Sequence, residues 1–322
     1  MQEISIGVSG NVSGSISNSV GASIALLILI ALTIGYWRGW AQLRRAMPTL
    51  ATRARLLAFL IALTALTLAL VWPLPNASNA LFTMRSLQNV LLCMVAAPML
   101  WLSAPVHTLV WGQRRWARRT FTHLRTAKWS RATIQRLSQP LIAWFVYTTA
   151  FLFWHDPTYA QFILGNSVAH TIAPWLLFGA ALLLWWPVVN AGPRFQRNFP
   201  AWLLIVYLII LEILNMVAGM SIAFSVEPLY SHYTVVRGQF APNALPWGQI
   251  TDQIMGGAIV WIFGSLVYIS SIVFVLLDLF RKDGSTTPQP LPNWDDNGKF
   301  IAPGLEHRVT QNKFRDADLK HR

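Results

Sequence analysis

The chain has 322 residues, of which 54% are hydrophobic and only 11% charged, with a mean hydropathy of +0.45. Soluble domains carry about a quarter charged residues, so a soluble globular enzyme is disfavoured, and the apolar content excludes a disordered or collagen-like chain. The formal charge of +13 would suggest nucleic acid in a soluble protein but reports topology in a membrane protein, and the single cysteine, Cys93, excludes an intrachain disulfide framework or a multi-cysteine metal cluster.

A helix that crosses a bilayer needs about 20 apolar residues. The polar, Gly- and Ser-rich residues 1–21 contain Glu3 and no Lys or Arg, so they read as a short flexible extracytoplasmic tail and not as a signal peptide. Seven apolar stretches follow, at 22–37, 56–73, 80–103, 141–154, 167–189, 201–224 and 250–280. They predict an all-α, polytopic integral membrane protein with a seven-helix domain over 22–280. None alternates with period two, so a β-barrel is not supported. Residues 281–322 are rich in Pro, Asn and Asp and read as a flexible cytoplasmic tail. No phosphate-binding loop, dinucleotide fingerprint or nucleophile elbow is present, so the sequence predicts no enzyme.

The cations orient these helices. All but two of the 25 Lys and Arg fall in the loops after helices one, three and five and in the tail. The exceptions are Arg237, beyond helix six, and Arg85, inside helix three. By the positive-inside rule the N-terminus lies outside and the C-terminus in the cytoplasm. The basic loop 113–136, interleaved with Trp116 and Trp129, reads as a topology determinant resting on anionic lipid and not as a nucleic-acid site.

Polar groups are costly in hydrocarbon, so the few inside the spans are informative. Arg85, Asn89 and Cys93 share one face of helix three, which Pro98 is expected to interrupt. Glu212 and Asn215 form a stripe on helix six beside Met216 and Met220. Cys93 and Glu212 sit at similar depth, which allows a buried lock between Glu212 and Arg85, Asn89 or Cys93, or a proton path. A second group gathers at the outer helix ends: His155, Asp156, Tyr159, His170, Tyr230, Tyr233, Asp252 and Gln253. His155, Tyr230 and Asp252 are expected to approach one another. Imidazole and thioether suit Cu(I), which makes His155, His170, Met216 and Met220 candidate copper ligands. The alternative reading gives each His an interfacial hydrogen bond and each Met a place in the core.

Several segments, in order, resemble the seven-helix CtaG family of cytochrome c oxidase assembly factors, over about residues 55–280. Helix three reads SLQNVLLCMVAAPML, and helix four ends in FWHDPTY, with Trp154, His155 and Pro157. Helix five carries His170 and then Trp185, Trp186 and Pro187. AGMSIAFSVEPLYSHY follows helix six, and helix seven opens with DQIMGG. The resemblance implies an assembly factor in a bacterial inner membrane, with oxidase subunits as partners and copper as the candidate cofactor. The departures bear on that cofactor. Arg85 and Asn89 stand where the family pattern has two His, and Ala173 and Pro174 stand where a further His is expected after His170. Those losses leave open a metal-free accessory subunit of a respiratory complex, and the intramembrane Arg85 and Glu212 leave open a transporter or channel.

Overall fold

A computed structural model describes the backbone of residues 2–113, 132–133, 136, 139–189, 200–238, 245 and 247–284, with side chains described within 20–281. Most of the basic loop expected over 113–136, Arg194 and Arg197, and nearly all of the tail expected over 281–322 lie outside the described residues. Among the described residues every regular element is a helix. Two units divide the chain, 1–278 and 279–322; the first holds all the elements that follow except the last residues of the final helix.

Helix α1 (Gln2–Ala46) is helical from Gln2, where a flexible tail was expected, and its membrane-length part begins at Val20. It ends with Arg44 and Arg45 in its last turn, where cations meet the negative end of the helix dipole, just before Pro48. Helix α2 (Arg53–Leu70) is capped by Thr52, whose side chain accepts from the Arg55 N–H. A short α3 (Leu74–Ala77) then leads to α4 (Phe82–Val90).

The third span is continuous from Phe82 to Leu102, and Pro98 does not break it. The register loosens upstream instead. Residues Leu91–Ala96 are π-helical, the Ala97 N–H bonds Leu92 O, and α5 (Ala97–Leu102) completes the span. In a π register Cys93 O would take its bond from residue 98, and proline has no N–H. Trp185 Nε1 fills that vacancy, donating to Cys93 O at 2.7 Å. Trp185 is thus a core hydrogen-bond donor, 1% exposed.

The remaining elements are α6 (Pro105–Gly112), α7 (Pro140–His155), α8 (Pro157–Gly165), α9 (Ser167–Val189), α10 (Ala201–Ala223), α11 (Ser231–Arg237) and α12 (Gln249–Gly284). Among the described residues six helices are long and apolar enough to cross a membrane: Val20–Ala46, Arg53–Ala77, Phe82–Leu102, Ser167–Val189, Ala201–Ala223 and Gln249–Arg281. The fourth expected span is α7, whose 16 residues reach about 24 Å against a hydrocarbon core of about 30 Å. It stops because Asp156 turns the chain into α8, accepting from the N–H groups of Thr158 and Tyr159 at 2.9 and 3.1 Å.

Helices α10 and α12 meet along a seam of small residues. A Cβ on Gly219 would lie 2.7 Å from Trp261 Cβ, and one on Gly257 would lie 2.6 Å from the Ala223 nitrogen. One turn from Gly219, Asn215 fills the space left by Gly264 and donates to Val260 O at 3.1 Å. Backbones can approach this closely only without side chains between them.

Candidate functional site

The predicted outer-face residues lie at the C-terminal end of α7 (His155), on α8 and its cap (Asp156, Tyr159), in the first turn of α9 (His170), on α11 and its N-cap (Tyr230, Tyr233) and at the start of α12 (Asp252, Gln253). Asp252, in the first turn of α12, is 1% exposed. Helix α4 has no cap of its own, since its N-cap position is Leu81. Asp252 supplies the cap from the other helix. Its Oδ2 accepts from the Phe82 N–H at 2.7 Å. Its Oδ1 accepts from the Thr83 N–H at 3.1 Å, from Thr83 Oγ1 at 2.6 Å and from Trp247 Nε1 at 3.0 Å. Arg237 stands 3.4 Å from Oδ2 and donates to Trp247 O at 2.7 Å. An anion held by helix N-terminal N–H groups and a guanidinium is stabilised by both.

Gln253 is equally committed. It accepts from the Leu229 N–H at 2.8 Å and donates to Ile222 O and Glu227 O at 3.2 and 3.3 Å, closing the turn between α10 and α11. Tyr233 donates to Ser78 O at 2.9 Å and Tyr230 to His155 O at 2.7 Å. The Phe82 ring stacks on Tyr230 at 4.3 Å and meets Tyr233 edge-on at 6.0 Å. His155, Tyr230 and Asp252 are therefore linked through Phe82. Burial pushes the phenols of Tyr230 and Tyr233 above their ordinary range, so both remain proton donors. Burial, and then the charge of Arg85, lower the affinity of His232 for a proton, against a raising hydrogen bond with the Asn79 backbone.

His155 spends both ring nitrogens inside the protein. Its Nδ1 lies 2.8 Å from Phe151 O, which can only accept, so Nδ1 carries the proton. Its Nε2 is then an acceptor for Asn89 Nδ2 at 3.3 Å. Arg85, 1% exposed, donates to Trp154 O at 3.1 Å and lies over the Trp154 ring at 4.0 Å from its centroid. His170, buried in the first turn of α9, lines a cavity of about 30 Å³ with Gln88, Thr171 and Trp175. Asp156 caps α8, and the exposed Tyr159 packs its ring on Phe153 at 4.4 Å.

The buried lock expected for Glu212 does not form. Arg85 is engaged with Trp154, Asn89 pairs with His155, and Cys93 lies beside the Tyr147 hydroxyl. Among the described residues Glu212 has no ion pair, and its Oε2 is buried without a hydrogen bond. Tyr147 continues to Tyr268, 3.4 Å away hydroxyl to hydroxyl.

His155 does not fit copper. Both nitrogens of His155 are engaged, the neighbouring guanidinium of Arg85 opposes a cation, and Met216 and Met220 are half-buried on α10. Among the described residues no three His, Cys, Asp or Glu side chains gather where they could hold a metal. Sequence reasoning missed Thr83, Trp154, Trp247 and Arg237. Arg237 did leave a signal, as the one cation in a loop on its side of the helices.

Fold and site together define a class: a multi-pass helical membrane protein whose polar residues join its helices at one end. Residues 34–282 match the family model described as cytochrome c oxidase caa3 assembly factor, Caa3_CtaG. The chain belongs to that family. No curated protein and no solved structure gives a significant match.

Proposed function

We propose that this protein assists assembly of a caa3-type cytochrome c oxidase in a bacterial cytoplasmic membrane, acting through contacts with oxidase subunits. Family membership over residues 34–282 carries the reading. Any support it gives to copper-centre formation runs through protein contacts, because both ring nitrogens of His155 are spent on the fold and Arg85 stands beside them. Seven helices cross, α7 included, with the N-terminus outside. The cations support this count. With α7 as a crossing, all but two Lys and Arg fall on one face; without it, Arg194, Arg197 and the tail separate from the loop 113–136. Local thinning of the bilayer accommodates a 16-residue helix.

The test is deletion of the gene, followed by oxidase activity, haem a absorbance and oxidase copper in isolated membranes. Loss of assembled oxidase, restored by the plasmid-borne gene, is the expected result; wild-type values of all three overturn the reading. The commitment of Asp252, Gln253 and both His155 ring nitrogens to the fold favours one alternative, a permanent accessory subunit. Stoichiometric recovery of the chain with mature, purified oxidase would select it.

A further inference from the structure

Glu212 lies halfway along α10, roughly 17 Å from either end at 1.5 Å per residue. It is the only acid in the middle of any candidate span, since Asp252 and Asp278 lie near the ends of theirs. It is half-buried, at the lipid-facing edge of the α10–α12 seam. The Ser265 hydroxyl on the facing helix is its polar neighbour, and among the described residues no cation pairs with it. Ile209, Ile213, Leu266 and Ile269 around it are all exposed. A carboxyl group without a counter-charge on an otherwise apolar face is costly in hydrocarbon, and intramembrane ionisable groups are characteristically paired.

A second copy of this chain does not supply the pair. The cations in its own spans lie towards the helix ends, and Arg85, in the first helical turn, is 1% exposed. The complement to Glu212 therefore belongs to a different protein. We propose that the α10–α12 face around Glu212 docks a transmembrane helix of the client, which presents a basic side chain near mid-membrane. This rests on the assembly-factor reading and names the chemistry of the client's contact.

The test uses the full-length protein, fluorescently labelled, in liposomes with acceptor-labelled Leu-rich transmembrane peptides that carry Lys at the centre, Lys at one end, or no Lys. The central-Lys peptide is expected to bind at least tenfold more tightly than the other two, with the preference reduced in Glu212→Gln and abolished in Glu212→Leu. Ile213→Trp should weaken binding of the central-Lys peptide by blocking the face without touching the carboxyl group. Equal binding of the three peptides, or a preference that survives Glu212→Leu, overturns the proposal. So does energy transfer between labelled copies of the protein that Glu212→Leu abolishes, because the occupant would then be a second copy. In cells, if gene deletion removes the oxidase while Glu212→Leu leaves it assembled, this proposal falls and the assembly-factor reading stands. If deletion has no effect but the peptide preference holds, the reverse follows.

Discussion

Asp252 shows how much one side chain holds at the α4–α12 junction. Four donors and the Arg237 guanidinium converge on its carboxylate. Asp252→Ala strands them all at a buried site and should cost about 3 kcal/mol, since breaking a buried charged network by removing one partner is far dearer than losing one exposed bond. Asp252→Asn keeps one acceptor oxygen and should cost less. Denaturant titration of the detergent-solubilised protein checks both. His232 gives a pH-dependent prediction. Burial holds its folded proton affinity below the ordinary value of 6.5. The unfolded chain therefore binds a proton first as pH falls through about 6.5. Stability is full above that pH and declines below it, and His232→Gln should flatten the part of the decline due to this group. Thermal unfolding of wild type and variant from pH 7.5 to 5.5 measures the difference.

At the scale of elements, the third span carries a proline without a break because another helix repairs it. The π-helical turn at Leu91–Ala96 and the missing N–H of Pro98 leave Cys93 O to Trp185. Trp185→Phe removes that donor and should destabilise the fold by about 2 kcal/mol. Pro98→Ala restores a backbone N–H in the same stretch. In a double-mutant cycle the loss caused by Trp185→Phe should shrink in the Pro98→Ala background, giving a coupling energy of about 1 kcal/mol. Strict additivity of the two changes would refute the shared carbonyl. The proline itself is plain in the sequence, but its consequence depends on a tryptophan 92 residues away.

For the whole molecule, topology is the property to test. Cys93 is fully buried and is the only cysteine, so a Cys93→Ser background allows single cysteines to be placed at will. Thr158→Cys should react with an impermeant maleimide added to intact spheroplasts, and Arg45→Cys only after the membrane is opened. The same labelling pattern for both positions would refute an odd number of crossings between them.

Sequence alone determined where the apolar spans lie and on which helices the polar residues sit, because hydrocarbon imposes length and polarity on each segment locally. The positions of α9, α10 and α12 could be read almost to the residue for that reason. The short α7 was read to within a residue at each end, 141–154 against Pro140–His155, but that Asp156 ends it by capping the next helix was not. Only the tertiary structure decided what the polar residues do. His155 read as a candidate copper ligand, Asp252 as part of a composite outer site and Arg85 as one partner of a buried lock, and each proved to be bonded to a distant segment. A donor or acceptor is available to a ligand only if the fold has not already used it, and that is settled by contacts between helices far apart in the chain.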